Sequence, residues 1–250
     1  MSYITDQKKI RQKILELTYK TNSAHVASNL SIVDILLVIY KNFVRKKNKN
    51  EFILSKGHAC LSYYVILNFF GYISDKKLNT FGKNNTELMS HISHKVPGVV
   101  FSTGSLGHGL PFSVGKAFIN KQKKIYCLIS DGEINEGSNW EAFMFVSHHK
   151  LSNLKIIIDC NKIQSLDYVK NVIDLEPLED KFKSFGYHVS RIDGHNHNKL
   201  KNTLNIKTKK PHIIIADTIK GKGVKFMQNS VLWHYKPPNK MQLDEAIKKL

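Results

Sequence analysis

Apolar residues along the chain follow two spacings that alternate with one another. Ile10, Ile14, Leu15 and Leu17 are spaced for one face of a helix over about 7–20. Mostly apolar runs, typical of buried strands, occur at 52–54, 125–129, 155–159 and 212–216, and a further strand is predicted at 187–191. Helical spacing between them predicts helices near 58–70, 110–120, 139–150, 177–185 and 196–206. The alternation predicts an α/β fold with a mostly parallel sheet and helices on both faces.

Residues that typically begin or end helices refine this outline. Ser31-Ile32-Val33-Asp34 matches a capping box that would open a helix reaching about residue 43. Gly71 is expected to end the helix at 58–70, and the glycine-containing stretch 83–109 to form a long loop. Because the chain has neither an internal repeat nor a low-complexity linker, we expect a single domain over residues 1–250.

Composition is that of an ordinary globular protein. The 250 residues are 42% hydrophobic, enough for a sizeable core. Residues 1–20 lack the apolar stretch of a signal peptide, and no segment is long and apolar enough to cross a bilayer, so we expect a cytoplasmic protein. Cys60, Cys127 and Cys160 have no metal-ligand spacing, which predicts reduced thiols in the core and no disulfides.

The formal net charge of +18 raises the possibility of a lysine-rich nucleic-acid-binding module. Only three of the 38 basic residues are arginines, however, and arginine is preferred for reading phosphates and bases. The lysines are scattered, with small clusters at 46–47, 123–124 and 207–210 and no interleaved aromatics. A solvated lysine surface is therefore the preferred interpretation, with an acidic partner surface as a subsidiary one.

Candidate ligand-binding residues lie directly after two of the predicted strands. Asp131 follows the strand at 125–129, and Asn161 follows the strand at 155–159, thirty positions later. Ligands of open α/β sheets bind at the carboxyl ends of strands, and a carboxylate with an amide carbonyl suits Mg²⁺ or Ca²⁺ holding a diphosphate. Gly132 would let a phosphate approach the backbone, and the next helix offers N–H groups. The pattern predicts a phosphate-bearing cofactor anchored through a metal.

Glu136 and Glu141 flank this turn and have two interpretations. They match solvated carboxylates near a helix N-terminus, which the helix dipole favours. The alternative is a buried acid cluster that transmits protonation between sites.

With these residues in place, the chain resembles the N-terminal, diphosphate-binding half of transketolases over nearly its whole length. The family's thiamine diphosphate motif, Gly-Asp-Gly followed about thirty residues later by Asn, appears here as Ser130-Asp131-Gly132 and Asn161. Further blocks of the family recur in order at residues 24–27, 55–59, 102–109 and 220–224. The resemblance implies a thiamine-diphosphate-binding fold of the PP type, which binds the cofactor's diphosphate.

Site residues implied by the resemblance fall into three groups. The side chains of Asp131 and Asn161 and the carbonyl of Ile163 would hold Mg²⁺ (or Ca²⁺). Cofactor contacts are expected from Gly104, Leu106, Ser130, Gly132, Glu133, Asn161 and His234. The catalytic group is expected to include the histidines that line the channel and the acid relay, namely His25, His58, His91, Glu136 and Glu141.

The other histidines receive different expectations. His94 and His108 are nearby and left open. The rest are expected to be structural or exposed, namely His148, His149, His188, His195, His197 and His212.

Two departures from the family pattern bear on the site. Ser130 stands in place of the first glycine, which keeps the backbone N–H but adds a hydroxymethyl group. Ala24-His25-Val26-Ala27 stands where the family has Gly-His-Pro-Gly, which keeps the histidine but loses residues that shape the loop. The second departure suggests a different substrate geometry.

The implied activity is transfer of a two-carbon ketol unit between sugars. Because the family binds the aminopyrimidine ring on a second domain, we expect one subunit of a split transketolase, inactive without a pyrimidine-binding partner, in an α2β2 assembly. The sugars stay open between pentose phosphates and a modified or nucleotide-linked sugar. Enzyme alternatives are the α subunit of a 2-oxo acid dehydrogenase and a deoxyxylulose-phosphate-synthase-like enzyme.

Overall fold

The computed structural model describes residues 2–44 and 50–250, so the predicted lysine cluster at 46–47 lies outside the described residues. Its sheet has five strands, all parallel, in the order β1-β2-β3-β5-β4. The strands are β1 (Glu51–Leu54), β2 (Ile125–Ser130), β3 (Leu154–Cys160), β4 (His188–Asp193) and β5 (His212–Asp217). The predicted α/β class is confirmed, and each predicted strand is present within one or two residues of its expected limits.

Helices precede β1, occupy the connections between strands, and follow β5. They are α1 (Tyr3–Thr21), α2 (Val26–Ser31), α3 (Val33–Asn42), α4 (Cys60–Phe69), α5 (Asp75–Leu78), α6 (Gly109–Ile119), α7 (Gly137–His148), α8 (Val169–Val172), α9 (Leu178–Ser184), α10 (His197–Leu204) and α11 (Lys240–Lys249). Single-turn helices α5 and α8 are too short to show a period in the sequence. The unpredicted α11 has a capping box between Asn239 and Gln242 that sequence inspection could have found.

The capping box predicted at residues 31–34 is wrong. Ser31 is the last residue of α2, and its hydroxyl donates to the Asp159 carboxylate at 2.8 Å. Asp34 lies in the first turn of α3, and its buried carboxylate binds Arg11 at 2.6 Å. The predicted helix is divided at Ile32, and neither polar side chain caps α3, because the Ser31 hydroxyl binds Asp159 and the Ser28 carbonyl and Asp34 binds Arg11.

Two apolar layers cover the two faces of the sheet. Along β2, Tyr126 and Leu128 pack with α1, α3 and α4, whereas Ile125, Cys127 and Ile129 pack with α6, α7 and α9. Because alternate residues of a strand point to opposite faces, a strand covered on both sides is apolar throughout. This arrangement confirms helices on both faces and explains the continuous apolar runs.

The predicted core thiols are confirmed. Cys60, Cys127 and Cys160 are buried and free, and burial raises the pKa of each thiol. Within residues 2–44 and 50–250, no helix combines the length and apolar character needed to cross a membrane.

Candidate active site

The carboxyl ends of β2 and β3 bring Asp131 and Asn161 together. These strands are neighbours, with Ser130 paired to Asp159, so the residues that follow them leave the sheet side by side. The N–H of Asp131 donates to the carbonyl of Asp159 at 3.3 Å, and the N–H of Lys162 donates to the Asp131 carboxylate. Two residues thirty positions apart are thereby joined in one site.

A cavity of about 180 Å³ lies above this strand edge. The residues predicted for the site that line it are His25, His58, His91, Gly104, Leu106, Ser130, Asp131, Gly132, Asn161, Ile163 and His234. A larger cleft of about 660 Å³ lies beside it and shares Asp131, Asn161 and Ile163. We assign the chemistry to the smaller cavity because the buried charged and imidazole groups converge there.

The oxygen atoms at the strand ends fit a hard divalent cation. The Asp131 carboxylate is buried and accepts hydrogen bonds from backbone N–H groups, and no ion pair to it occurs among the described residues. Burial, followed by the nearby Asp159, raises the pKa of Asp131 to about 7. A buried carboxylate without an ion-pair partner among the described residues, next to the amide oxygen of Asn161 and the carbonyl of Ile163, is a donor set suited to Mg²⁺ or Ca²⁺.

Two buried lysines make the cavity suitable for an anion, and the sequence had not singled them out. Lys56 forms a fully buried ion pair with Asp159. The Lys220 ammonium donates to the carbonyls of Ile163 and Gln164 at 3.0 and 3.2 Å and contacts His234 Nδ1 at 2.8 Å. Burial, followed by the charge of Lys56, lowers the pKa of Lys220 to about 7.

An unpaired polar group in the cavity also favours binding of an anion. Nε2 of Gln164 is buried, has no hydrogen-bond partner among the described residues, and belongs to a residue that lines the cavity. A Cβ on Gly132 would lie 3.0 Å from Gln164 Cγ, so the glycine allows this side chain to pack across the turn. A diphosphate oxygen would satisfy the amide and meet the charge of Lys220.

Four histidines surround one end of the cavity. The ring centroid of His25 lies 5.3 Å from that of His58, 5.9 Å from His91 and 5.1 Å from His234. Burial is the main cause that lowers the pKa of His25 to about 4 and of His234 to about 3. His25 and His234 are therefore neutral near pH 7, and each of these two imidazoles can donate one hydrogen bond and accept another.

The backbone of His25 explains how its ring reaches the cluster. Its φ is +68°, and its N–H donates to the carbonyl of His234 at 2.8 Å. A left-handed backbone is uncommon outside glycine. Here it turns the chain into α2 and directs the ring at the cavity.

The two histidines left open do not line this cavity. His94 is exposed, and its Nδ1 lies 2.7 Å from the hydroxyl of Ser102. His108 is exposed at the start of α6.

The carboxylates after Asp131 are placed differently from one another. Glu133 is fully buried and accepts hydrogen bonds from the Ser55 hydroxyl and from the N–H of Gly107 at 3.0 Å. It joins three segments of the site but does not line the cavity.

Glu136 and Glu141 are both exposed, because α7 turns them away from the core. They therefore do not form a buried acid cluster in this chain. Their role in an acid relay stays a prediction that requires a covering partner.

Comparison with known proteins agrees with this geometry. Residues 5–250 match the family model described as transketolase, thiamine diphosphate binding domain. The chain belongs to this family. It is 37% identical over 258 residues to an apulose-4-phosphate transketolase subunit of Actinobacillus succinogenes, covering 97% of this chain and 94% of that protein. It is 35% identical to 6-deoxy-6-sulfo-D-fructose transketolase subunit SqwG of a Clostridium species, covering 90% and 87%.

A solved structure gives the same picture at the level of the fold. Transketolase from Campylobacter jejuni superposes with a TM-score of 0.91 at 29% identity. The match covers 97% of this chain but 42% of that one. This chain thus spans under half of a full transketolase and nearly all of the relatives named as subunits.

Proposed function

We propose that this chain is the diphosphate-binding subunit of a two-subunit transketolase. It transfers a two-carbon ketol unit between sugars with thiamine diphosphate and Mg²⁺, and residues 1–250 act as a single domain. The observation that carries this proposal is the meeting of Asp131 and Asn161 at adjacent strand ends, in a cavity that also contains two buried lysines. The family match supports the same cofactor.

The residues of the site have different proposed roles. Asp131, Asn161 and the carbonyl of Ile163 hold the metal, and Lys220 and the N–H groups after β2 face the diphosphate. When bound, thiamine diphosphate supplies the carbanion chemistry of the reaction. The neutral imidazoles donate to and accept from sugar hydroxyl and carbonyl oxygens.

We further propose that a separate pyrimidine-binding subunit covers a surface beside the cavity. This surface, called the aromatic surface below, consists of the four phenylalanines Phe101, Phe112, Phe118 and Phe145 together with Met144. Phe101 and Phe112 stack with centroids 3.9 Å apart, and Phe118, Met144 and Phe145 are 43%, 53% and 41% exposed.

The position of the aromatic surface supports this partner. It borders a cleft that contains Gly107 and Glu141, and Gly107 is also bonded to the buried Glu133. A partner seated there would reach the cavity and bury the exposed glutamates. Relatives that the chain spans almost completely are named as subunits, which favours a second chain as the occupant. An α2β2 assembly gives each site both halves.

The sugar acceptor is proposed to be a modified sugar rather than an ordinary pentose phosphate. Two relatives are named for apulose-4-phosphate and for 6-deoxy-6-sulfo-D-fructose. This chain also has Ala24-His25-Val26-Ala27 at the turn that carries a cavity histidine. Branched, deoxy and nucleotide-linked sugars are therefore tested beside pentose phosphates.

The test is a ketol-transfer assay with the purified chain, with a candidate pyrimidine-binding subunit, and with both together. We expect turnover only with both subunits, thiamine diphosphate and Mg²⁺, and its loss in Asp131→Ala. Ketol transfer by this chain alone would refute the split-subunit proposal.

The same reagents separate the alternatives. Decarboxylation of pyruvate with the partner present would favour a 2-oxo acid dehydrogenase, and formation of 1-deoxyxylulose 5-phosphate would favour the synthase. A nucleic-acid-binding module would instead show steeply salt-dependent binding to DNA or RNA and indifference to cofactor and metal.

A further inference from the structure

Asp159, near the end of β3, is the most connected side chain beneath the site. It is fully buried and is bound by donors from three distant segments and from Asn161, two residues further along the chain. Asn161 Nδ2 lies 2.9 Å and the Ser31 hydroxyl 2.8 Å from its carboxylate, which also binds Lys56 and Thr218. Neither the metal-ligand set nor the cavity lining includes Asp159.

The partners of this carboxylate fix its charge. The Lys56 ammonium forms a fully buried ion pair with it, and the hydroxyls of Ser31 and Thr218 and the amide of Asn161 also donate to it. An ionised carboxylate has only acceptor atoms. Any polar group that meets it must therefore present a donor.

This requirement has a consequence for Asn161. A side-chain amide has a donor end and an acceptor end of nearly the same shape, so its hydrogen bonds decide its orientation. With the NH₂ group on Asp159, Oδ1 must point the other way, where it accepts from the N–H of Ile163 at 3.1 Å. Asn161 is the residue whose amide oxygen is proposed above as a metal ligand.

We propose that Asp159 is a positioning residue that fixes which end of the Asn161 amide faces the metal. The proposal rests on the proposed function, because it assumes that a cation binds beside Asp131 and Asn161. Asp159 also holds the other ligand, since its backbone carbonyl accepts from the N–H of Asp131. One residue thus orders both side-chain ligands without touching the metal.

The neighbours of Asp159 keep the carboxylate itself from turning. Ser31 belongs to α2, Lys56 follows β1, and Thr218 follows β5, so the donors reach the carboxylate from different parts of the fold. Side chains that orient metal ligands in this way typically change metal affinity by about 10- to 100-fold when mutated.

The experiment measures Mn²⁺ binding to the full chain by electron paramagnetic resonance of free Mn²⁺, with and without thiamine diphosphate. In Asp159→Asn the residue can meet either end of the Asn161 amide, so we expect cofactor-dependent Mn²⁺ binding to weaken by about 10- to 100-fold. Unchanged binding in this variant would overturn the proposal.

Exchanging the carboxylate of residue 159 and the amide of residue 161 distinguishes a lost orientation of residue 161 from a general disruption of the site. Asn161→Asp alone places a second carboxylate against Asp159, so we expect weaker Mn²⁺ binding. If Asp159 did not orient residue 161, an added anionic ligand would instead tighten binding. In the double variant Asp159→Asn with Asn161→Asp, both oxygens of residue 161 can ligate, so we expect most of the lost affinity to return. Failure of the exchange to rescue would contradict the proposal, and Asn161→Asp alone decides it if Asp159→Asn does not fold.

Ser31→Ala is the matched control, because it removes a hydrogen bond to the same carboxylate but leaves the carboxylate ionised. We expect Mn²⁺ affinity within about twofold of the unmodified chain, a difference below 1 kcal/mol by the usual conversion. Equal losses in Ser31→Ala and Asp159→Asn would assign the effect to packing and overturn the proposal. If the unmodified chain shows no cofactor-dependent Mn²⁺ binding either alone or with the pyrimidine-binding subunit, the proposed function itself fails, and this inference fails with it.

Discussion

At the residue scale, the proposed metal ligands Asp131 and Asn161 meet the buried cations Lys56 and Lys220 in one cavity. Asp131 and Asn161 could be found because each directly follows a recognisable buried strand, and strand ends share an edge. Lys56 and Lys220 stand within motifs, yet among so many lysines nothing local reveals that these two are buried. Their burial depends on Asp159 and on the carbonyl of Ile163, which are distant in sequence.

Lys220 offers a direct test of the anion site. Lys220→Met keeps the apolar stem but removes the ammonium that faces Ile163, Gln164 and His234. Because hydrogen bonds to charged groups contribute about 1.5–3 kcal/mol, we expect roughly 10- to 100-fold weaker binding of thiamine diphosphate with Mg²⁺ by calorimetric titration. Lys222→Met removes the same charge two positions away and should bind normally. Equal weakening in both variants would show that only the overall charge matters.

Asp131 should oppose stability in the absence of metal. Its pKa is raised from the ordinary value of 3.8 to about 7 in the fold. The folded chain therefore holds more protons than the unfolded chain between these pH values, so the free energy of unfolding falls as pH rises from about 4 to 7. A shift of this size corresponds to a loss on the order of 4 kcal/mol above pH 7.

The measurement is urea unfolding in EDTA at pH 5 and pH 8. Asp131→Asn removes the titrating group, so we expect a smaller difference between the two pH values and greater stability at pH 8, together with loss of Mg²⁺-dependent cofactor binding. A variant as sensitive to pH as the unmodified chain would contradict this account of Asp131.

At the element scale, strands and long helices were predictable and the junctions were not. Strands covered on both faces are apolar throughout, which makes β2, β3 and β5 evident in the sequence. The error at residues 31–34 arose because the spacing of Ser31 and Asp34 equals that of a capping box. Their partners come from β3 and α1, and no local pattern can show that competition.

Gly57, between β1 and α4, has a clear packing role. A Cβ there would lie 2.3 Å from the backbone carbonyl oxygen of Thr103, which cannot move as a flexible side chain could. Gly57→Ala should therefore separate the loop that carries Lys56 and His58 from the segment at 103, lowering the free energy of unfolding by about 1–3 kcal/mol and weakening cofactor binding.

Gly115 in α6 is the control for this substitution, because a Cβ added there would have no atom of the described residues within 4 Å beyond its own helix backbone and chain neighbours. Gly115→Ala should raise stability by up to about 1 kcal/mol, since alanine favours the helix. Both variants are compared by urea unfolding. Equal effects of the two substitutions would rule out the close approach at Gly57 as the cause.

At the scale of the whole molecule, the family and the fold could be predicted because several motifs recur in one order across the chain. The charge of +18 could not be interpreted in the same way, since composition does not show which lysines share a surface. The exposed aromatic residues were also missed. Phe118 and Phe145 lie on α6 and α7, where the apolar spacing of each helix does not separate a residue facing the core from one facing a partner.

The aromatic surface gives the last prediction. Replacing both Phe118 and Phe145 by Ser removes two exposed rings, packed edge to face at 5.5 Å, without emptying the core. Aromatic residues at the centre of an interface typically contribute about 2 kcal/mol or more, so we expect association with the pyrimidine-binding subunit to weaken by about 30-fold or more. Sedimentation velocity measures the change, and ketol transfer should return at high partner concentration, because the cavity residues are intact.

Tyr19→Ser is the matched control for this double variant. It removes an aromatic side chain of α1 that is 40% exposed, and the variant should associate normally. Normal association of the double variant would place the partner on another face of the molecule and leave the exposed glutamates beside α7 without the cover that an acid relay requires.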